Sequence, residues 1–150
     1  MAATPVAAVV VVLIFAGASF FLSLAETSLF SLSKWQVRQL ADRPERAGKM
    51  VEALLSKPQD LLATMALGNT FANAALLAVA LCMALDGRWP TVLTIICLLA
   101  LLLVGCEVFP KTMAVRKPEQ WAVRVVRPLS LFLRFSLPLC PSPRTSTPRF

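Results

Sequence analysis

Three sets of polar residues lie inside otherwise apolar stretches. In Leu102-Leu-Val-Gly-Cys-Glu-Val-Phe-Pro-Lys111, an apolar run drives into Glu107, then into Pro110 and Lys111. A carboxylate within hydrocarbon is costly and marks a functional site. Proline lacks an N–H, so the carbonyl of Cys106 loses its helical partner four residues on. An anionic side chain and a freed backbone oxygen would then sit together, which is tolerated only where protein or a polar cavity satisfies them. Ser19, Ser23, Glu26 and Thr27 fall at i, i+4, i+7 and i+8, one polar stripe on an apolar helix. Self-bonding to the helix backbone would account for Ser19 and Thr27, but not for Glu26. Asn69 and Asn73 share a helix face, and Gly68 and Ala72 permit close approach of a neighbouring backbone. The plainer reading of the asparagines is hydrogen-bonding between helices.

Together these groups offer a hydroxyl, two amide oxygens, a carboxylate and a carbonyl. Hard oxygen donors suit Mg2+, Ca2+ or Na+ and disfavour zinc and copper. The competing reading of Glu107 is an ion pair with Lys111 at i, i+4. Pro110 distorts that spacing, which turns Lys111 toward Glu26 instead.

The elements that must position these residues are membrane helices. The chain has 150 residues, 57% of them hydrophobic and 15% charged. Residues 1–25, 61–85 and 89–106 carry no charge, and each run reaches the ~18–20 residues needed to cross a bilayer. The expectation is an all-α membrane protein with spans over about 6–32, 60–85 and 90–115. Residues 34–57 read as amphipathic juxtamembrane helices lying on the bilayer surface, with Pro44 starting one of them. Residues 119–137 read as a C-terminal surface helix, and 138–150 as a disordered tail. So thin a bundle favours a homodimer.

Histidine and tyrosine are absent, which removes imidazole ligands and the commonest general base. Cys82, Cys97, Cys106 and Cys140 form no C-x-x-C pair, and a lone thiol in a span reads as a small apolar packer. The net charge of +7 comes from basic residues flanking the spans, so it points to the lipid bilayer rather than nucleic acid. Residues 34–57 carry six basic residues and 111–134 another six, against only Arg88 between the second and third spans. By the positive-inside rule the N-terminus lies outside and the C-terminus in the cytoplasm, in a multi-pass cell-membrane protein. Counting from span ends at Leu32, Asp60 and Val115 puts Ser23, Asn69 and Glu107 at one depth, roughly 12–14 Å inside that boundary.

Leu24-Ala-Glu-Thr-Ser-Leu-Phe-Ser-Leu-Ser33, Leu67-Gly-Asn-Thr-Phe-Ala-Asn73 and Glu107-Val-Phe-Pro-Lys-Thr112 resemble the signature blocks of the CorC / cyclin M (CNNM) magnesium transporters, in their membrane domain. The resemblance covers about Val6 to Leu137. It implies a dimer of three-span subunits with a belt-like juxtamembrane helix. It implies Mg2+ efflux coupled to Na+ entry. It places the metal on Ser23, Asn69, Asn73 and Glu107; Glu26, Gly68, Pro110 and Lys111 support the site on the reading of the residues themselves. In that family a glycine usually precedes the motif glutamate; here Cys106 stands there and Gly105 one place earlier. The family's cytoplasmic CBS domains have no counterpart in this sequence, so a truncated product is one expectation. The alternatives to a transporter domain are a non-transporting dimerisation or regulatory module, and an intramembrane hydrolase. The last would have only Glu26 or Glu107 with a serine to work with, so no enzyme is expected.

Overall fold

The computed structural model describes residues 5–87 and 89–136, and every regular element among them is helical. Three helices are long and apolar enough to cross a membrane: Val6–Phe30, Pro58–Leu85 and Thr91–Arg116. The first lies in α1 (Pro5–Phe30) and the second is α4 (Pro58–Leu85). The third is composite: α5 (Thr91–Ala100), a π-helical segment (Leu101–Val108) and α6 (Phe109–Arg116). Between the first two lie α2 (Lys34–Ala41) and α3 (Arg46–Leu55), and α7 (Pro118–Ser136) follows the third. The expected tail over 138–150 lies outside the described residues.

Local chemistry sets these boundaries. Ser33 opens α2 with a capping box: its hydroxyl accepts from the Gln36 N–H, and its own N–H donates to Gln36 Oε1. Pro58 and Asp60 occupy the first turn of α4, where a missing N–H costs nothing and a negative charge suits the helix dipole. Pro44 does not start a helix; α3 begins at Arg46, with Glu45 at its N-cap. Its polar side chain makes no capping bond there.

The spans pack unevenly. α1 is the shared wall, with α4 on one side and the π segment and α6 on the other. Its small residues Ala16, Ser19, Ser23 and Ala25 are buried, which lets the neighbours approach closely. At one end α3 and α7 close over the bundle. The face Ala122, Val125, Val126, Leu129 and Leu133 of α7 joins Ala47 and Val51 of α3 in a core with Leu29, Leu61, Met65 and Ala114. Gln36 Nε2 donates to Glu119 Oε1 at 3.0 Å, tying α2 to the start of α7. A second, smaller core near the other end joins Ala16, Leu76, Ala80, Leu98 and Cys106. The outer face of the third span, including Val92, Ile96, Leu99, Leu103 and Val104, is exposed, as expected of a surface whose solvent is lipid.

Candidate cation site

The site begins where α1 and α4 come closest. A Cβ placed on Gly68 would stand 3.1 Å from Leu22 Cδ1 and 3.3 Å from Phe132 Cζ, so α1, α4 and α7 meet closely there and a larger residue would have to push these side-chain tips aside by a few tenths of an ångström. From that crossing α4 presents Asn69 and Asn73 to α1. The Ser19 hydroxyl lies 2.7 Å from Asn69 Oδ1 and 2.6 Å from Asn73 Oδ1. Ser19 is fully buried. A hydroxyl carries one proton, so it donates to one of these oxygens and leaves the other facing it without a proton between. With both amides turned oxygen-inward, the trio has more lone pairs than protons, which is what a cation requires of a site.

Ser23, one turn along the same face of α1, is 1% exposed, and its Oγ has no hydrogen-bond partner. A buried hydroxyl left unmatched costs ~1–3 kcal/mol, and Ser23 Oγ keeps its hydrogen-bonding capacity one turn from Ser19.

On its other side α1 runs parallel to the third span. The Cys106 thiol donates to the Ala16 carbonyl at 3.7 Å. The Phe20 and Phe109 rings stack obliquely with centroids 6.3 Å apart. These pairings bring Glu107 level with the turn holding Ser19, one turn away from Ser23. Glu107 is half-buried, as is Glu26, whereas Lys111 is exposed. None of the three forms an ion pair with another described residue. Both expected partners of Lys111, Glu107 and Glu26, are therefore unpaired with it.

Pro110 explains the π segment. Its ring removes the amide that would bond Cys106, and the chain widens ahead of it into i→i−5 register, with the Phe109 N–H donating to the Val104 carbonyl. The disruption expected at the Cys106 carbonyl is thus spread over the wider turns before the proline. Those turns carry Gly105, Cys106 and Glu107, and Pro110 itself is fully buried.

Of the residues singled out from sequence, Asn69 and Asn73 meet on one hydroxyl, and that hydroxyl belongs to Ser19 rather than Ser23. Ser19 bonds across to α4 instead of to its own helix; Ser28, with Ala25 O at 3.1 Å, is the serine of α1 that does the latter. Glu107 stands on the third span, whose next residue back, Cys106, is bonded to Ala16 of α1. Among the described residues no three His, Cys, Asp or Glu side chains gather for a metal, so any cation held here is held chiefly by neutral oxygens.

Residues 9–143 match the family described as the cyclin M transmembrane N-terminal domain. The chain is 34% identical over 106 residues to the UPF0053 inner membrane protein YfjD of Escherichia coli, covering 69% of this chain and 25% of that protein. It is 32% identical over 123 residues to a UPF0053 protein of Haemophilus influenzae, covering 81% and 29% respectively. A chloroplastic DUF21 domain-containing protein of Arabidopsis thaliana is 33% identical over 117 residues, 76% of this chain and 18% of the plant protein. The chain thus spans less than a third of the length of each of these curated relatives. With three apolar spans, a helical belt at one end and a polar cluster between the spans, the chain belongs to the cyclin M transmembrane-domain family, a family of membrane transport proteins.

Proposed function

We propose that this chain is the membrane domain of a divalent-cation transporter that moves Mg2+ out of the cytoplasm, and that it works by transport and not by catalysis. The convergence of Asn69 and Asn73 oxygens on the buried Ser19 hydroxyl carries this reading. Ser23 supplies a further hydroxyl and Glu107 the negative charge. Octahedral Mg2+ with ligands at 2.0–2.1 Å sets adjacent oxygens about 3.0 Å apart, whereas the longer Ca2+ bonds set them farther apart. The oxygens here stand 2.6–2.7 Å from Ser19, so a movement of a few tenths of an ångström fits the smaller ion. One carboxylate leaves the bound cation only half neutralised, which favours its release. Mg2+ sheds water reluctantly and keeps part of its shell here. Coupling to Na+ entry rests on the family resemblance alone. A homodimer is proposed because three spans alone make a thin bundle.

The test is calorimetric titration of Mg2+ into the detergent-purified chain, beside Glu107→Gln, which keeps size and removes charge. Saturable binding that weakens at least about tenfold in the variant is expected, the scale of losing a charged ligand. Equal binding by both proteins would make Glu107 a bystander and overturn the site. Binding without flux into vesicles would assign the chain to the non-transporting module reading.

A further inference from the structure

α7 buries one face and exposes the other. Ala122, Val125, Val126, Leu129 and Leu133 enter the larger core. Arg124, Arg127 and Leu131 are exposed. At about 100° per residue these three fall within ~60° of one another, on one stripe opposite the buried face. The stripe is graded along the helix. Phe132 Cζ lies 3.3 Å from where a Cβ on Gly68 would stand, and Gly68 is roughly 15 Å along α4 from Pro58. Arg124 lies about 12 Å back along α7 from Phe132, where Val125 and Val126 join Ala47 and Val51 of α3. α7 therefore climbs from the belt into the bundle. Its arginines stand at headgroup depth and Leu131 at the depth of the acyl chains.

The charge on this face is uncompensated. Glu119 is the only acidic residue between Lys111 and Arg134, and its Oε1 accepts from Gln36 Nε2. The Arg124 guanidinium lies over the Trp121 ring, 5.4 Å from its centroid, which limits its freedom. At the foot of the stripe Gln36, Lys117, Pro118, Glu119 and Gln120 line an open hollow of about 230 Å3.

We propose that the outer face of α7 is a binding site for one anionic phospholipid of the belt-side leaflet. Its phosphate sits on Arg124 and Arg127, its polar headgroup turns toward the hollow at Lys117, and an acyl chain runs past Leu131. Residues three apart on a helix are neighbours, so both guanidinium forks can reach one phosphate. A zwitterionic lipid brings an ammonium group into the same basic field, so a net negative headgroup is preferred. This site is separate from the oxygen cluster between the spans and does not depend on it.

The experiment uses the full chain with Trp35→Phe and Trp89→Phe, which leaves Trp121 as the single tryptophan. The chain is placed in phosphatidylcholine nanodiscs. Each preparation contains the same mole fraction of a spin-labelled lipid, either phosphatidylglycerol or phosphatidylcholine. Trp121 quenching reports which lipid occupies the face. Phosphatidylglycerol should be preferred at least about tenfold, since each basic residue at the surface is worth about fivefold. The preference should shrink as salt rises. It should disappear in Arg124→Gln with Arg127→Gln and survive in Arg124→Lys with Arg127→Lys, which keep the charge. Both arginines are exposed, and circular dichroism checks that the helices persist. Equal quenching by the two lipids would overturn the proposal, as would a preference that survives in the folded glutamine variant. Loss of the preference on adding inorganic phosphate at constant ionic strength would make the face a free-phosphate site and overturn it too.

Discussion

Ser19 and Ser23 are one turn apart on one face, yet removing each hydroxyl has opposite consequences for the ion-free fold. Ser19 donates a hydrogen bond to an asparagine oxygen, so Ser19→Ala should destabilise the ion-free chain by about 1 kcal/mol. Ser23 Oγ is buried without a partner, so Ser23→Ala should raise ion-free stability by a similar amount, about 1 kcal/mol, by deleting an unmatched group. Both changes should weaken Mg2+ binding. Thermal unfolding with and without Mg2+ reads both effects; a Ser23→Ala chain that melts earlier without ion would show that its hydroxyl is already satisfied. The pairing that separates these serines was only partly legible in the sequence. The i, i+4 stripe put both on one face, but depth counting favoured Ser23. That count assumed that α1 and α4 leave the bilayer at one plane, and the Leu22–Gly68 crossing shows that their true register brings Ser19 to the asparagines. A slip of one helical turn, about 5.4 Å, is enough to exchange the two.

At the scale of the element, the third span is held in its wide register by one missing amide. Pro110→Ala restores that N–H and opens ordinary i→i−4 bonding, which would turn Glu107 and Cys106 away from α1 by up to about 100°, one residue's rotation. The variant should keep its helix content and stability but lose Mg2+ affinity at least about tenfold, since a ligand turned away contributes nothing. Retained affinity would mean that packing against α1, and not the proline, fixes the π segment. The proline's disruption was readable from sequence; the form it takes was not, because the widening begins at Leu101, well before the residue that causes it. The surface belt contains a tighter constraint. A Cβ on Gly48 would fall onto the Leu40 carbonyl, where α2 turns back on α3. Backbone cannot step aside as a side-chain tip can, so Gly48→Ala should cost about 1–3 kcal/mol in thermal unfolding. An unchanged melt would show that the α2–α3 turn opens freely. The sequence pattern placed amphipathic helices over 34–57, but nothing in it set Gly48 against Leu40, a contact made by the turn between two short helices.

At the scale of the whole molecule, charge and packing coincide. α2, α3 and α7 gather at the end of the bundle that holds the larger core, and residues 34–57 and 111–134, which contain or flank these helices, carry most of the basic residues. The opposite end has the short turn through Asp86 and Gly87, near Trp89. Basic flanks are retained on the cytoplasmic side during insertion, so the belt end should face the cytoplasm and the Asp86 turn the exterior. This orientation decides what the site can do: a cation entering from the belt side and leaving past α5 is exported. It is tested with single cysteines at Asp86→Cys and Glu45→Cys, both exposed positions, in a chain whose native cysteines are serine. A membrane-impermeant maleimide applied to intact cells should label the Asp86→Cys chain and reach the Glu45→Cys chain only after permeabilisation. The reverse pattern would put the basic belt outside, and Mg2+ taken up from the belt side would then be imported, which would overturn the efflux reading while leaving the oxygen cluster intact.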